Sequence, residues 1–427
     1  MATIDIVDNT ESLHDIGEFI MSYQPYQNAF LNALVNRIGR VLVTSRMWNN
    51  PWSVFKKGYM EFGETVEEIF VNIAKPFSFD PGRAETEVFK REIPDVRAAF
   101  HTMNFQKFYK VTISNDQLRQ AFLSWQGITD LIAKIVDSLY TGMQYDEFVT
   151  LKYMLCREIL NGGLYVETVP AVSNANMKGI IEKMRAMSSK LEYLKPDYNM
   201  AHVMNASKRD RQYLIIPADV EAKADVEVLA SAFNMDRTTF LGHLIEVDSL
   251  SEHDSIRLAE LFGNDSSYTA FTSDELTLLG DIAGVVTDID WWMVFDNFQQ
   301  FTQNYNGQGL YWQYFYHTWK TFSVSPYAPA VVFSSSTNSI TGVTVSPSTA
   351  NVAQGSALTL TATVAGTGIY PDGVTWTMSG AIAGGTHISG NILSIATNEP
   401  VDTEITVTAT AADGTTTGTA TITVVSR

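Results

Sequence analysis

A single cysteine in 427 residues, Cys156, has no partner for an internal disulfide. One thiol supplies neither a zinc cage nor a redox pair, which points to a chain built in a reducing cytoplasm. The seven histidines are His14, His101, His202, His243, His253, His317 and His387. No HExxH occurs and no two histidines fall within a helical turn, so local spacing builds no metal site. Positive charge is short as well: 29 Lys and Arg against 47 Asp and Glu leave a net charge of −18. That field repels phosphate backbones and excludes a general nucleic-acid binder. No run of about 18 apolar residues is free of charges, so no transmembrane span is expected. The opening MATIDIVDNTESLHDIGEF carries Asp5, Asp8, Glu11 and Asp15 where an export signal would have a basic start and an apolar stretch. Neither end carries a lipidation signature. The phosphate-cradling G-x-x-x-x-G-K-[ST] loop and the G-x-S-x-G nucleophile elbow are both missing. The nearest dinucleotide fingerprint, Gly366-Thr367-Gly368, has Pro371 where the third glycine belongs and reads as a hairpin loop. No cofactor is implied.

What the chain does have is material for several cores. Its length is two to four times that of a domain of about 100–200 residues. With 45% hydrophobic and 18% charged residues it is too apolar for a disordered polymer. Composition changes sharply near residue 335, where SSSTNSIT separates an aromatic, Lys-containing body from a tail without lysine. Residues 341–427 hold 21 Thr, five acids (Asp372, Glu399, Asp402, Glu404, Asp413) and one base, Arg427. They run as short β-branched segments, GVTVSP, LTLTATV, VTWTM, ILSIAT, EITVTATA and TATITVV, broken by turns such as Pro371-Asp372-Gly373 and Asp413-Gly414. Period-two alternation with frequent turns predicts a small β-sandwich with Trp376 in its core. The order V-x-V-x-P, L-x-L-x-A-T-V, V-x-W and I-x-V-x-A-T-A-x-D-G resembles the group 2 bacterial immunoglobulin-like domain.

In the body, Phe30, Leu31, Leu34 and Val35 with Gly39 beyond them predict a helix over 24–37. Residues 56–97 then hold seven bases and nine acids, punctuated by Pro76, Pro81 and Pro94. Such a stretch is either a solvated surface or an extended arm that exchanges ion pairs with neighbouring chains. Apolar residues at Leu131, Ile132, Ile135, Val136, Leu139, Met143, Leu151, Leu155 and Ile159, closed by Gly162-Gly163, predict one long helix over 129–161, with a kink at Gly142 as an option. Helices at 177–191 and 219–233 interleave with strands at 213–216 and 243–247, an α+β or α/β pattern. DWWMVFDNF and GLYWQYFYHTWKTFSVS read as paired aromatic strands.

Candidate chemistry is thin. Asp281, Asp288, Asp290 and Asp296 around Trp291-Trp292 would suit a sugar-cleaving cleft only if two carboxylates converge beside an aromatic platform; otherwise they are strand edges. AFNMDRTTFLGHL has the outline of a helix-turn-helix with Arg237 and Thr238 opening its second helix, but the acidic surroundings favour a simple turn. Cys156, inside the long helix beside Leu155, reads as a buried inert thiol.

Taken in order, VNRIGRVLV (35–43), NNPWSVFKKGYMEFGETVEEIFVNI (49–73), EVFKREIPDVRAAFH (87–101), AFLSWQG (121–127), LASAFNMDRTTFLG (229–242) and GLYWQYFYHTWKTFSVS (309–325) resemble the major capsid proteins of short-tailed phages of the phi twenty-nine type. The resemblance implies an α+β Hong Kong 97-type phage capsid fold with a C-terminal all-β immunoglobulin-like sandwich. It lays out residues 1–45 as an N-terminal arm, 46–113 as an extended loop, 114–169 as a peripheral domain with a spine helix and 170–287 as an axial domain. Residues 288–334 are then return strands of the peripheral domain, 335–340 a linker and 341–427 the immunoglobulin-like domain.

The same resemblance implies a non-enzymatic shell subunit. Its partners are many copies of itself in pentamers and hexamers, a scaffolding protein during assembly, a portal protein at one vertex and packaged double-stranded DNA bound without sequence preference. Host-surface glycans are a further partner for the C-terminal domain, and no membrane is involved. The location implied is the virion, with assembly in the host bacterial cytoplasm. Expected inter-subunit contacts of the extended loop are Lys56, Lys57, Glu61, Glu64, Glu67, Arg83, Glu85, Lys90, Arg91 and Glu92. Repeated weak ion pairs of this kind fix register and reject wrong partners. The competing readings are an adhesin with an immunoglobulin-like stalk and a hydrolase with an appended module.

Overall fold

The computed structural model describes residues 48–60, 65–74, 94–114, 125–224, 243–263, 265, 268–309 and 311–426. The helix expected at 24–37 lies outside them, as do residues 225–242, which hold most of the helix-turn-helix candidate. The chain divides into two compact units, one of residues 1–50, 105–147 and 297–319, the other of residues 51–104, 148–296 and 320–427.

In chain order, strands β1 (Lys56–Tyr59), β2 (Val66–Val71), β3 (Val96–His101) and β4 (Phe105–Ser114) precede helix α1 (Trp125–Leu160). Then come β5 (Tyr165–Thr168), α2 (Met177–Leu191), β6 (Gln212–Pro217), the single turn α3 (Ala218–Glu221), β7 (Leu244–Val247), α4 (Ser255–Phe262) and α5 (Ser273–Gly280). The body closes with β8 (Ile282–Asp288), β9 (Trp292–Asn306), β10 (Tyr311–Val324) and β11 (Ala330–Ser334). The C-terminal region adds β12 (Ser339–Ser346), β13 (Thr349–Ala353), β14 (Ala357–Thr359), β15 (Thr361–Thr367), β16 (Val374–Ser379), β17 (His387–Ser389), β18 (Ile392–Ser394), β19 (Glu404–Ala411) and β20 (Thr417–Val425).

The larger unit is built on a mixed sheet ordered β5-β11-β8-β6-β7. Every residue of β6, β8 and β11 is buried, because both faces of these central strands are covered, and their sequences accordingly read as nearly unbroken apolar runs. On one face α2 lays Ile180, Ile181, Met184, Met187 and Leu191 against Leu214, Ile216, Ala283, Val286, Val331 and Phe333. Gly284 makes this approach possible: a Cβ there would lie 3.1 Å from Met184 Cε and 3.3 Å from the Ile215 carbonyl. Tyr213 alternates with Leu214 and so faces the other way, into an aromatic cluster. There Phe55 stacks on Trp292 at 4.4 Å between ring centroids, and Trp52 meets Trp292 and Phe148 edge-on.

Helix α1 is one continuous helix from Trp125 to Leu160, through Gly142. It ends where Gly162, at φ +82°, donates its N–H to the Ile159 carbonyl while the Gly163 N–H reaches back to Glu158, the double closure of a left-handed C-terminal cap. Helix α5 starts on a reciprocal Thr272–Glu275 capping box, and Arg157 of α1 binds Glu275 at 2.6 Å. The helix expected at 219–233 is only the single turn α3 where it is described, since 222–224 are turn and bend.

In the smaller unit, β9 and β10 run on from Asn297 and up to Trp319 beside β4. The intervening stretch, NFQQFTQNYNGQGLYWQYFYHTW, contains no Asp, Glu, Lys or Arg. Aromatic pairs replace ion pairs across these strands, Phe301 with Tyr314 and Tyr305 with Trp312. The α1 segment of this unit buries Asp146 and Glu147, and both are satisfied: Tyr109 Oη donates to Asp146 at 2.6 Å and Asn50 Nδ2 to Glu147 at 2.9 Å.

The C-terminal strands pair as β12-β15, β13-β20-β19-β16 and β14-β18-β17. Val345, Val352, Leu360, Leu393, Ile405, Val407, Ile422 and Val424 meet in one apolar core, as in a β-sandwich. Trp376 packs against this core but stays half-buried, because β16 is an edge strand whose pattern alternates between half-buried and exposed. Gly366-Thr367-Gly368 is not a hairpin loop: Gly366 and Thr367 pair with Ile340 and Ser339 at the end of β15.

Candidate assembly surface

The charged stretch enters the described structure at β1, which pairs parallel to β9 with Lys56 opposite Val294. That register sets two lysines beside the carboxylates of the 288–296 segment. Lys56 Nζ lies 2.6 Å from Asp296 Oδ2, and Lys57 bonds Asp290. The buried Lys320 takes the other oxygen of Asp296 at 3.1 Å. Arg211 bridges Asp290 and Asp288, and Ser207 donates its hydroxyl to Asp288 at 2.5 Å. Burial opposes ionisation of Asp296, but the Lys320 and Lys56 ammoniums outweigh it and hold the carboxyl below its usual range. Asp290 is held low in the same way, its partial burial outweighed by Lys57 and then Arg211.

These are carboxylates locked as anions by fixed cations, the opposite of what a general acid needs. Asp288 and Asp290 do converge, but on Arg211, and Asp281 stands at the far end of β8. Among the described residues a cavity of about 530 Å³ opens beside β7, lined by Pro51, Val54, Ala218 and Leu244 to Asp248. Of its two carboxylates, Asp248 is already bound to Lys152 at 2.7 Å. No group of three metal-ligating side chains occurs among the described residues.

Of the ten expected contact residues, Glu61, Glu64, Arg83, Glu85, Lys90, Arg91 and Glu92 lie outside the described ones. Lys56 and Lys57, expected to meet neighbouring chains, have partners within their own chain, because β1 pairs with β9. Glu67 is exposed on the β2–β3 ribbon.

That ribbon carries a feature the charge count concealed. Its antiparallel register puts Val66 opposite His101 and Val71 opposite Val96, so alternate pairs face opposite ways. The inner face is anchored to the body. Phe70 stacks on Tyr327 at 5.3 Å, and Ser325 donates to Glu68 at 2.7 Å. His101 lies 2.7 Å from the Ser323 hydroxyl and 3.2 Å from Glu68, and Arg97 binds Asp95 and the Ala201 carbonyl. The outer face is Glu67, Ile69, Val71, Val96, Ala98 and Phe100, with Ile69 59% and Phe100 65% exposed. The signal was in the sequence as the alternation of Ile69-x-Val71 and Val96-x-Ala98-x-Phe100.

The Phi29-like phage major capsid protein model matches residues 7–334 of this sequence. The chain belongs to that family. This major capsid protein is 37% identical over 413 residues to the major capsid protein of Bacillus phage B103, covering 95% of the chain and 86% of the relative. It is 36% identical over 411 residues to that of Bacillus phage PZA, covering 95% and 85%. Among solved structures, the capsid of Staphylococcus phage Andhra aligns with a TM-score of 0.56 at 15% identity, over 70% of this chain and 88% of that one. A chain from the head fiber and inner core protein structure of bacteriophage P68 aligns with a TM-score of 0.52 at 16% identity, over 70% and 88%. The capsid protein therefore has the Hong Kong 97-type phage capsid fold, with a strand-rich region after residue 338. A major capsid protein works in many copies as the shell of the virion, and residues that look idle in one copy are to be judged as contacts between copies.

Proposed function

We propose that copies of this chain close, as pentamers and hexamers, into an icosahedral or elongated shell around double-stranded DNA, and that the outer face of the β2–β3 ribbon seats on a neighbouring copy. The observation that carries the contact is the exposure of Ile69, Val71, Val96 and Phe100 on one face of a ribbon whose other face is pinned. Exposed apolar sets of this kind mark association surfaces. In this reading residues 46–113 are the extended loop, rooted by Trp52 and Phe55. Residues 1–45 are the N-terminal arm, 114–169 and 288–334 the peripheral domain and 170–287 the axial domain. The subunit has no catalytic step of its own.

The net charge of −18 suits a container for DNA: an acidic wall does not trap phosphates through counterion release, so the genome slides during filling and exit. Assembly in the bacterial cytoplasm with a separate scaffolding protein, and a portal at one vertex, completes the scheme. Residues 341–427, read as an immunoglobulin-like domain, offer a Thr-rich outer surface for weak contact with host glycans. The test is electron microscopy of the full chain co-expressed with the scaffolding protein of the same phage. Closed hollow particles are the expected result, whereas isolated monomers or slender trimers would overturn it.

A further inference from the structure

The end of α1 and the loop joining β15 to β16 meet through bare backbone. The cap at Gly162 leaves its carbonyl free to accept the Asp372 N–H at 3.3 Å. A Cβ on Gly162 would stand 2.7 Å from both the Asp372 nitrogen and the Tyr370 oxygen. From the other side, a Cβ on Gly373 would overlap the His202 imidazole. His202 holds a left-handed backbone, φ +49°, that side chains seldom adopt. Its conformation is over-determined by Asn199, which brackets Val203 with two hydrogen bonds of 2.8 and 2.9 Å. A third close approach sets Arg97 2.8 Å from where a Cβ on Gly390 would lie, while the same guanidinium binds Ala201. The connection at 335–338 is tied down too: the Ser335 N–H donates to the Asp281 carbonyl at 2.9 Å, and Ser336 is buried against Ser334.

We infer that Gly162, His202 and Gly373 form a fixed seat that positions the C-terminal domain in one orientation on the capsid subunit, so that it joins the shell as a rigid part of each copy and does not swing on its linker.

Two carboxylates tune that seat. Glu158 is held above the usual range by burial and then by the charge of Asp372, and burial raises Asp372 as well. Beside His202 stand Arg97 and Asp197, and burial holds its ring below the ordinary imidazole range. Neither cation nor hydroxyl bonds the Glu158–Asp372 pair among the described residues. Their mutual repulsion therefore loosens the seat as pH rises through the raised carboxylate range and is relieved below it.

Hydrogen–deuterium exchange on the full-length chain tests this, read at segments 158–163, 199–204 and 370–374, with 404–425 reporting whether the domain itself stays folded. Gly373 lacks a left-handed φ, so Gly373→Ala collides with His202 without straining its own loop. It should speed exchange at all three segments by at least about tenfold and leave 404–425 protected. Asp372→Asn, which removes the repulsion and keeps the shape, should slow exchange at 158–163. Wild-type exchange in Gly373→Ala with 404–425 protected would overturn the inference. If Gly373→Ala unfolds the domain, Asp372→Asn decides alone: unchanged or faster exchange at 158–163 overturns it.

Discussion

The ammonium of Lys320, 1% exposed, lies 3.1 Å from Oδ1 of Asp296, whose other oxygen is taken by Lys56. A buried cation so placed is tolerable only while its anion is present. Asp296→Ala is therefore expected to destabilise the subunit by about 3–5 kcal/mol, seen as a lower denaturation midpoint. The joint replacement Asp296→Leu with Lys320→Met should recover most of that loss. Because the Asp296 carboxyl is held low, its contribution is complete above the ordinary carboxylate range and is lost as pH falls through the depressed value. Wild type should lose stability on acidification more steeply than the double variant.

Ile69→Asp or Phe100→Asp places a charge on the ribbon's outer face without touching its anchored side. The isolated chain should melt within about 0.5 kcal/mol of wild type, as surface changes do. Closed particles should fall by about 30-fold or more, in line with losing a central apolar anchor worth about 2 kcal/mol per contact. Sedimentation of co-expressed particles reads this directly, and normal particle yield from both variants would remove the ribbon from the list of contacts.

Glu399 is fully buried in the C-terminal domain, accepting the Ile382 N–H at 2.7 Å, the Ala383 N–H at 3.1 Å and the Thr386 hydroxyl. Burial opposes its charge, yet Thr386 and the two amides prevail and hold the carboxyl below its usual range. Glu399→Ala would strand those donors and cost about 2–3 kcal/mol. Glu399→Gln, retaining one acceptor, should cost less. Exchange protection across β19 and β20 measures both, and equal effects from Ala and Gln would refute the donor argument.

Cys156 is fully buried beside the Leu250 carbonyl, and burial pushes its thiol up to about 12. At pH 8 it should resist alkylation while the subunit is folded and react on denaturation. Its labelling rate then serves as a clock for opening of the α1 core, and prompt labelling of native chain would contradict the packing.

Periodicity made the local elements legible. The helix expected at 177–191 coincides with α2, and Gly162-Gly163 marked the end of α1, because helix faces and caps are written in consecutive residues. The aromatic segments at 290–298 and 309–325 fall in β9 and β10 for the same reason. Partners across long sequence distances were not legible. Lys57 meets Asp290 from 233 positions away, where sequence alone assigns Lys57 to a neighbouring chain and Asp290 to a strand edge. Trp376 does pack against the core that its size and apolarity suit, but only half-buried, because edge position in a sheet is a property of topology. Strand β8 went unread since Ile-Ala-Gly-Val-Val, buried on both sides, lacks alternation. The ribbon's outer face is not legible in composition, because the sixteen charges of residues 56–97 outnumber its five apolar side chains.

Among the described residues, those side chains leave Glu67 as the lone ion on that face. A joint formed there gives dissolved salt little to screen, so brine that loosens charge-sewn shells should leave it closed. Chilling is the stress it would feel, since the water-driven attraction between such surfaces weakens in the cold.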